Sequence, residues 1–294
     1  KMSERSGKSG NLINALVGII KNELTNENVL RRIIIIAVLT LLIMIIINEA
    51  LKFLKLAKDR DTTSPWIVKG TKDAKKQLVI EQEHNKKKAV TLYRSKNEIG
   101  GVEFTYMLWY YVDDWAYNYG KFKHMFHKGS YSGKYLMSPG VFLDKVENNL
   151  VVVMNTYNSN KDQSPPESKG IYEVTKVKGL PLNKWVHLVI CTNQTSMDIY
   201  INGHLKLSHQ FKNIPRQNYG NLYVNGPYNL FDFDKKKKAP SPGFSGFLSN
   251  FRYFNYYISQ TEIYNHMKKG PSPELGSDSL RMDDKPPYLS TRFW

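Results

Sequence analysis

Residues 181–207 read PLNKWVHLVICTNQTSMDIYINGHLKL, and this stretch decides the fold. Val186, Leu188 and Ile190 alternate with His187, Val189 and Cys191, and Ile199 and Ile201 alternate with Asp198, Tyr200 and Asn202. Period-two alternation in two runs, joined by the polar residues Asn193, Gln194, Thr195 and Ser196, is the pattern of a β-hairpin. Asn202-Gly203 supplies two residues that tolerate positive φ, so a second tight turn is expected before residues 205–207. Trp185 opens the first strand as a large apolar anchor, expected to lie against an opposing sheet.

Working outward, strand patterns recur at residues 90–93, 103–112, 124–128, 140–143, 150–156, 221–224 and 243–255. Residues 66–68 and 77–80 each have the makings of an edge strand, and residues 158–170, with Pro165-Pro166, read as a loop. Residues 259–268 read as a short helix capped by Ser259, with Glu262 three positions on. Many short strands with turn signals between them, and no alternation with helices, indicate a mainly β fold: a two-sheet antiparallel sandwich.

PLNKWVHLVI followed by MDIYINGHL resembles the central hairpin of laminin-G-like modules in the concanavalin A-like superfamily. There a Trp-x-His strand precedes a strand ending in Tyr-x-Asn-Gly. GFSGFLSNFRYFNYYIS at residues 243–259 resembles that family's closing strand, and EFTYMLWYYV at residues 103–112 an early one. The resemblance implies a jelly roll over residues 90–270. It makes Trp185, His187, Tyr200, Asn202 and Gly203 fold-defining, with His187 in a structural role. It does not single out a function, because the fold carries lectins, glycosidases, adhesion modules and structural proteins.

Ahead of the sandwich the chain changes character. Residues 11–24 place Leu12, Ala15, Leu16, Ile19, Ile20 and Leu24 near one helical face, so residues 1–28 are read as a segment with an amphipathic helix. Residues 33–47, IIIIAVLTLLIMIII, run from Ile33 to Ile47 without a charge and with Thr40 as the sole polar side chain. Fifteen helical residues cover about 22 Å of a hydrocarbon core about 30 Å thick; flanking apolar residues lengthen the run, and Arg31 and Arg32 can snorkel to the headgroups. The run starts late and no small-residue cleavage site follows it, which speaks against a cleaved signal peptide. Residues 29–56 are therefore read as a single-pass anchor and residues 57–89 as a basic linker, with a Pro-, Ser- and Asp-rich tail at 271–294. Slightly more basic flanks on the C-terminal side place the β-domain in the cytoplasm by the positive-inside rule. The single cysteine, Cys191, agrees with that side and falls mid-strand, as a buried structural thiol would.

A hydrophobic content of 41%, with 13% aromatic residues, is enough to fill a core. The net charge of +16 runs through linker and domain and stops before the tail, a field suited to anionic lipid or acidic protein and less to nucleic acid. Candidate partner contacts are Lys235, Lys236, Lys237 and Lys238, together with the terminal aromatics Phe293 and Trp294. The four lysines read first as a solvated loop, with contact to an acidic partner or phosphates as the functional alternative.

Signs of catalysis are weak. The superfamily's glycosidases resemble one another in a Glu-x-Asp-x-x-Glu strand, which is missing here. Asp113-Asp114 are adjacent and would face opposite ways on a strand. Calcium, a frequent ligand of the family, has only Asp232 and Asp234 as weak candidates, with four lysines following at once. His124 and His127, three apart on a presumed strand, are expected to face opposite sides and make a poor metal pair. No cofactor is expected. The reading is a non-enzymatic structural protein tethering a lipid membrane to other structural proteins. It resembles minor capsid proteins of large icosahedral DNA viruses, on the virion's internal membrane facing the capsid. The alternative is a membrane-anchored glycan-binding lectin or adhesion protein.

Overall fold

The computed structural model describes residues 14–19, 21, 29–83, 85–86, 89–95, 102–132, 136–157, 171–232 and 237–273. Residues 14–19 are helical, with Leu16, Val17 and Ile19 exposed. The chain divides into two compact units, residues 1–59 and residues 60–294.

Helix α1 (Val29–Thr63) contains the apolar run, and none of its side chains between Arg31 and Lys52 is buried. Thr40, the polar break in that run, donates its hydroxyl to the Ala37 carbonyl at 2.8 Å, so its polar group is satisfied within the helix. The run from Ile33 to Ile47 is exposed on almost every face, as an environment of lipid permits and water does not. By length and composition the helix fits a membrane span, and a signal sequence fits the same description.

The second unit is a sandwich of two six-stranded sheets, every neighbouring pair antiparallel. One sheet runs β1 (Trp66–Asp73), β14 (Ser245–Phe254), β3 (Phe104–Asp114), β8 (Trp185–Thr192), β9 (Ser196–Ile201), β10 (His204–Gln210). The other runs β2 (Leu78–Ile80), β11 (Asn221–Val224), β4 (Lys123–Gly129), β5 (Met137–Leu143), β6 (Asn149–Thr156), β7 (Ile171–Lys178). A separate hairpin, β12 (Tyr228–Asp232) and β13 (Lys237–Ser241), includes Leu230 and Tyr228 in a small cluster on the outside of the second sheet. Helix α2 (Gln260–Lys268) has the expected capping box, Ser259 with Glu262.

The hairpin read from sequence is β8–β9, and its alternation does what period two requires. Val186, Leu188, Ile190, Ile199 and Ile201 enter the core between the sheets, with Tyr106, Leu108, Phe126, Val152, Leu222 and Phe251. Asn202 at φ 51° and Gly203 at φ 78° make the turn into β10. The Asn202 side-chain oxygen also accepts from the His187 backbone amide at 2.8 Å, while the Asn202 backbone amide donates to the His187 carbonyl at 2.8 Å. That exchange explains the spacing of the His and Asn-Gly motifs.

Trp185 departs from expectation. On β8 the odd-numbered residues face away from the opposing sheet. Trp185 is buried there, its ring 5.7 Å from Tyr111 and 6.5 Å from Phe247. His187 follows on the same face, 4.9 Å from Trp109. Val189 and Cys191 continue it into a cluster with Met107, Phe254 and Ile263 of α2. Cys191 is buried as expected, its thiol pushed up to about 12 by burial.

His124 and His127 depart as well. A bulge between them sends Met125 and Phe126 in succession into the core and returns His127 to the outer face beside His124. The rings meet through His127 Nδ1 and His124 Nε2 at 2.8 Å, under Tyr228 of β12. Two more segments differ. Residues 90–93 form no strand, because the Gln82 side chain takes a strand's place: its amide donates to the Val90 carbonyl at 3.0 Å and its oxygen accepts from the Leu92 amide at 3.1 Å. Residues 171–178, with no strand assigned from sequence, form β7 at the edge of its sheet.

Candidate ligand-binding end of the sandwich

The C-terminal ends of β4, β6 and β8 and the N-terminal ends of β3, β5 and β9 gather at one end of the sandwich, as the strand registers require. The non-periodic segment 211–220, FKNIPRQNYG, crosses this end. Backbone bonds pin it: Phe211 N to Thr195 O at 2.8 Å, Tyr157 N to Ile214 O at 2.9 Å and Arg216 N to Asn155 O at 2.8 Å. The buried Glu173 carboxylate of β7 adds to this by accepting the Lys212 amide at 3.1 Å and the Asn213 amide at 3.3 Å, with the His209 ring at 3.2 Å.

Two clefts flank the segment. The wider, about 350 Å³, is lined by Tyr157, Gln194, Thr195, Phe211, Asn213 and Ile214 together with Lys212. Tyr157 is 53% exposed, with the Arg216 guanidinium 5.2 Å from its ring centre. The β8–β9 turn that presents Gln194 and Thr195 is held by Asn193, whose side-chain oxygen accepts the Thr195 amide at 2.9 Å and the Ser196 amide at 2.7 Å. The narrow cleft lies between the sheets and is lined by Arg94, Lys128, Ser138, Asn218 and Tyr253, with Tyr106 at its floor. No carboxylate lines either cleft among the described residues. The wide cleft offers aromatic and aliphatic surface with two amides, a hydroxyl and the Lys212 ammonium, the make-up of a site that binds a polar ring.

The residues singled out from sequence lie elsewhere. Trp185, His187 and Tyr200 sit on the outer face of the first sheet. His187 is fully buried, neither ring nitrogen has a hydrogen-bond partner among the described residues, and burial followed by the nearby His266 holds its pKa down to about 3. It is a neutral packing group. Tyr200 meets the Tyr257 hydroxyl, which in turn donates to Asp198. Lys238 on β13 is exposed and lies opposite Phe231 in the backbone register, as Asp232 lies opposite Lys237. Lys235, Lys236, Asp234, Phe293 and Trp294 lie outside the described residues. Among the described residues no three His, Cys, Asp or Glu side chains cluster as metal ligands would. Tyr157, Phe211, Arg94 and Lys128 escaped the sequence reading. Lys128 gave no signal of its own, because its strand, KHMFHKG, also carries Lys123, His124 and His127.

A family model described as the concanavalin A-like lectin/glucanases superfamily matches residues 84–264, more than half of the chain. The chain belongs to this superfamily. The match covers both flanks of the ligand-binding end and the whole β8–β9 hairpin. No curated protein matches the sequence. Among solved structures, the binding domain of botulinum neurotoxin DC in complex with rat synaptotagmin II is similar at TM-score 0.39 and 15% identity, over 57% of this chain and 35% of that one. The botulinum neurotoxin serotype D ligand-binding domain in complex with N-acetylneuraminic acid is similar at TM-score 0.42 and 12% identity, over 67% of this chain and 41% of that one. The superfamily chain described here thus spans well under half the length of those structures.

Proposed function

We propose that the protein is a membrane-anchored, non-catalytic recognition module of lectin type, which holds a glycan in the cleft between Tyr157 and Phe211. The observation that carries this reading is the lining of that cleft: two aromatic rings, Ile214, Gln194, Thr195, Asn213 and Lys212, and no carboxylate among the described residues. An aromatic face suits the C–H face of a sugar ring, and an amide, being donor and acceptor at once, suits adjacent hydroxyls. Glycoside hydrolysis needs two carboxylates flanking the bond, which this lining does not offer. The lipid contact is made by α1, whose exposed apolar run would sit in the bilayer.

The tethering role, with a protein shell as partner on a virion membrane, rests on the same helix and on the net charge of +16, and neither cleft described above speaks for it. A glycan array probed with the full chain in detergent separates the two. Specific glycan binding, reduced about tenfold by Tyr157→Ala, supports the lectin reading. An array without signal, together with capture of a purified capsid protein, would replace it with the tether.

A further inference from the structure

Lys128 lies one residue beyond His127, so the bulge that brings the histidines together also turns Lys128 inward, between the sheets. It is 6% exposed. Its ammonium has three protons to donate, and among the described residues only the Gly220 carbonyl accepts one, at 2.7 Å. The neighbours are otherwise committed. Asn218 spends its amide on the Lys128 and Ser138 carbonyls at 3.1 and 3.4 Å and its oxygen on the Gly220 amide at 3.0 Å. Tyr253 donates to the Tyr93 carbonyl at 2.8 Å. Arg94 stands at the mouth, exposed, its guanidinium 4.5 Å from the Tyr219 ring centre.

We propose that Lys128 and Arg94 form an oxyanion site, which receives a carboxylate, sulfate or phosphate group of a ligand. Among the described residues, a buried cation next to a second cation, without a carboxylate in the lining, lacks the counter-charge that such groups ordinarily have. A bound oxyanion supplies it, accepting the spare Lys128 protons and the Arg94 fork together. The cleft has about 20 Å³ of free space, room for one or two oxygens of an end group whose remainder stays at the mouth beside Arg94, and not for a sugar ring. Burial and then the Arg94 charge push Lys128 down to about 7. The phenols of Tyr106 and Tyr253 are raised by burial, so they stay neutral. The site shares the end of the sandwich with the glycan cleft but does not depend on glycan binding.

The test is the melting temperature of the full chain in detergent, with sulfate, phosphate or glucuronate added against chloride at equal ionic strength. An oxyanion at ten times its Kd is expected to raise the melting point by about 4 °C. Glucuronate acting at lower concentration than the inorganic anions marks an acidic sugar as the source, and the reverse marks a free anion. Lys128→Met, which removes an unpaired buried charge, should melt at or above the wild type without anion and lose the shift. If Lys128→Met fails to fold, the exposed Arg94→Met decides: a lost or weakened shift supports the site, and an undiminished one overturns it. Equal stabilisation by chloride and the oxyanions overturns it as well.

Discussion

Replacing Asn202 tests why the Asn-Gly pair follows the Trp-x-His strand. Asn202 is 5% exposed, sits at φ 51°, and its side-chain oxygen accepts the His187 amide at 2.8 Å. Asn202→Ala leaves that buried amide without a partner, at a cost of about 1–3 kcal/mol. Alanine in the left-handed region adds about 1 kcal/mol. A small offset comes from removing the Asn202 side-chain nitrogen, which has no hydrogen-bond partner among the described residues. The net loss is about 2–3 kcal/mol, or about 8 °C for a domain of this size. Asn202→Gly also loses the bond but accepts the φ freely, so it should cost about 1 kcal/mol less. Thermal melts of the full chain in detergent, followed by near-ultraviolet circular dichroism, give both values. A loss under 1 °C for the alanine variant, or a glycine variant less stable than the alanine one, would refute the reasoning.

Acid should weaken the sandwich. Burial, first among the causes, lowers His124 well below its ordinary value and holds His127 at about 4 and His187 at about 3. The unfolded chain then binds protons from about pH 6.5 downward and the folded chain does not, so stability falls with pH over that window. His127 alone accounts for at most about 3 kcal/mol of this, and His127→Gln should flatten the decline measured by urea titration at pH 7 and 4.5. Gly246→Ala should disrupt β14 against β3, because at φ 137° a Cβ there would lie 1.8 Å from the Tyr111 carbonyl oxygen; loss of a cooperative melt is expected. Trp185→Ala, which empties an aromatic row on the outer face, should cost about 3 kcal/mol by the same melts. Mass analysis of chain recovered from carbonate-washed membranes should find residues 31–52 intact, and a mature chain beginning after Lys52 would make α1 a signal sequence.

The fold was legible because alternation and turn chemistry are local. Val186 to Ile190 carry their own face assignment, and Asn202-Gly203 announces its turn. Which of the two faces looks at the other sheet is not local, and so Trp185 was placed on the wrong side: both faces of β8 are buried, one by the sandwich and one by α2 and neighbouring aromatics. The histidine pair was hidden by a bulge, since a single extra residue between His124 and His127 reverses the parity argument that separates them. The proposed ligand-binding end was the least readable part. Segment 211–220 has no period, its backbone is held by Glu173 of β7 and by Thr195 of the β8–β9 turn, and Tyr157 and Phe211 on one cleft and Lys128 on the other come to the same end only through the register of both sheets.

Hydrogen–deuterium exchange of the full chain in detergent, with and without a glycan that binds it, tests the central claim most directly. The account predicts slowed exchange in peptides covering residues 193–196 and 211–219, with the β12–β13 hairpin unchanged. Protection confined to β12–β13, or spread evenly over the sandwich, would contradict it.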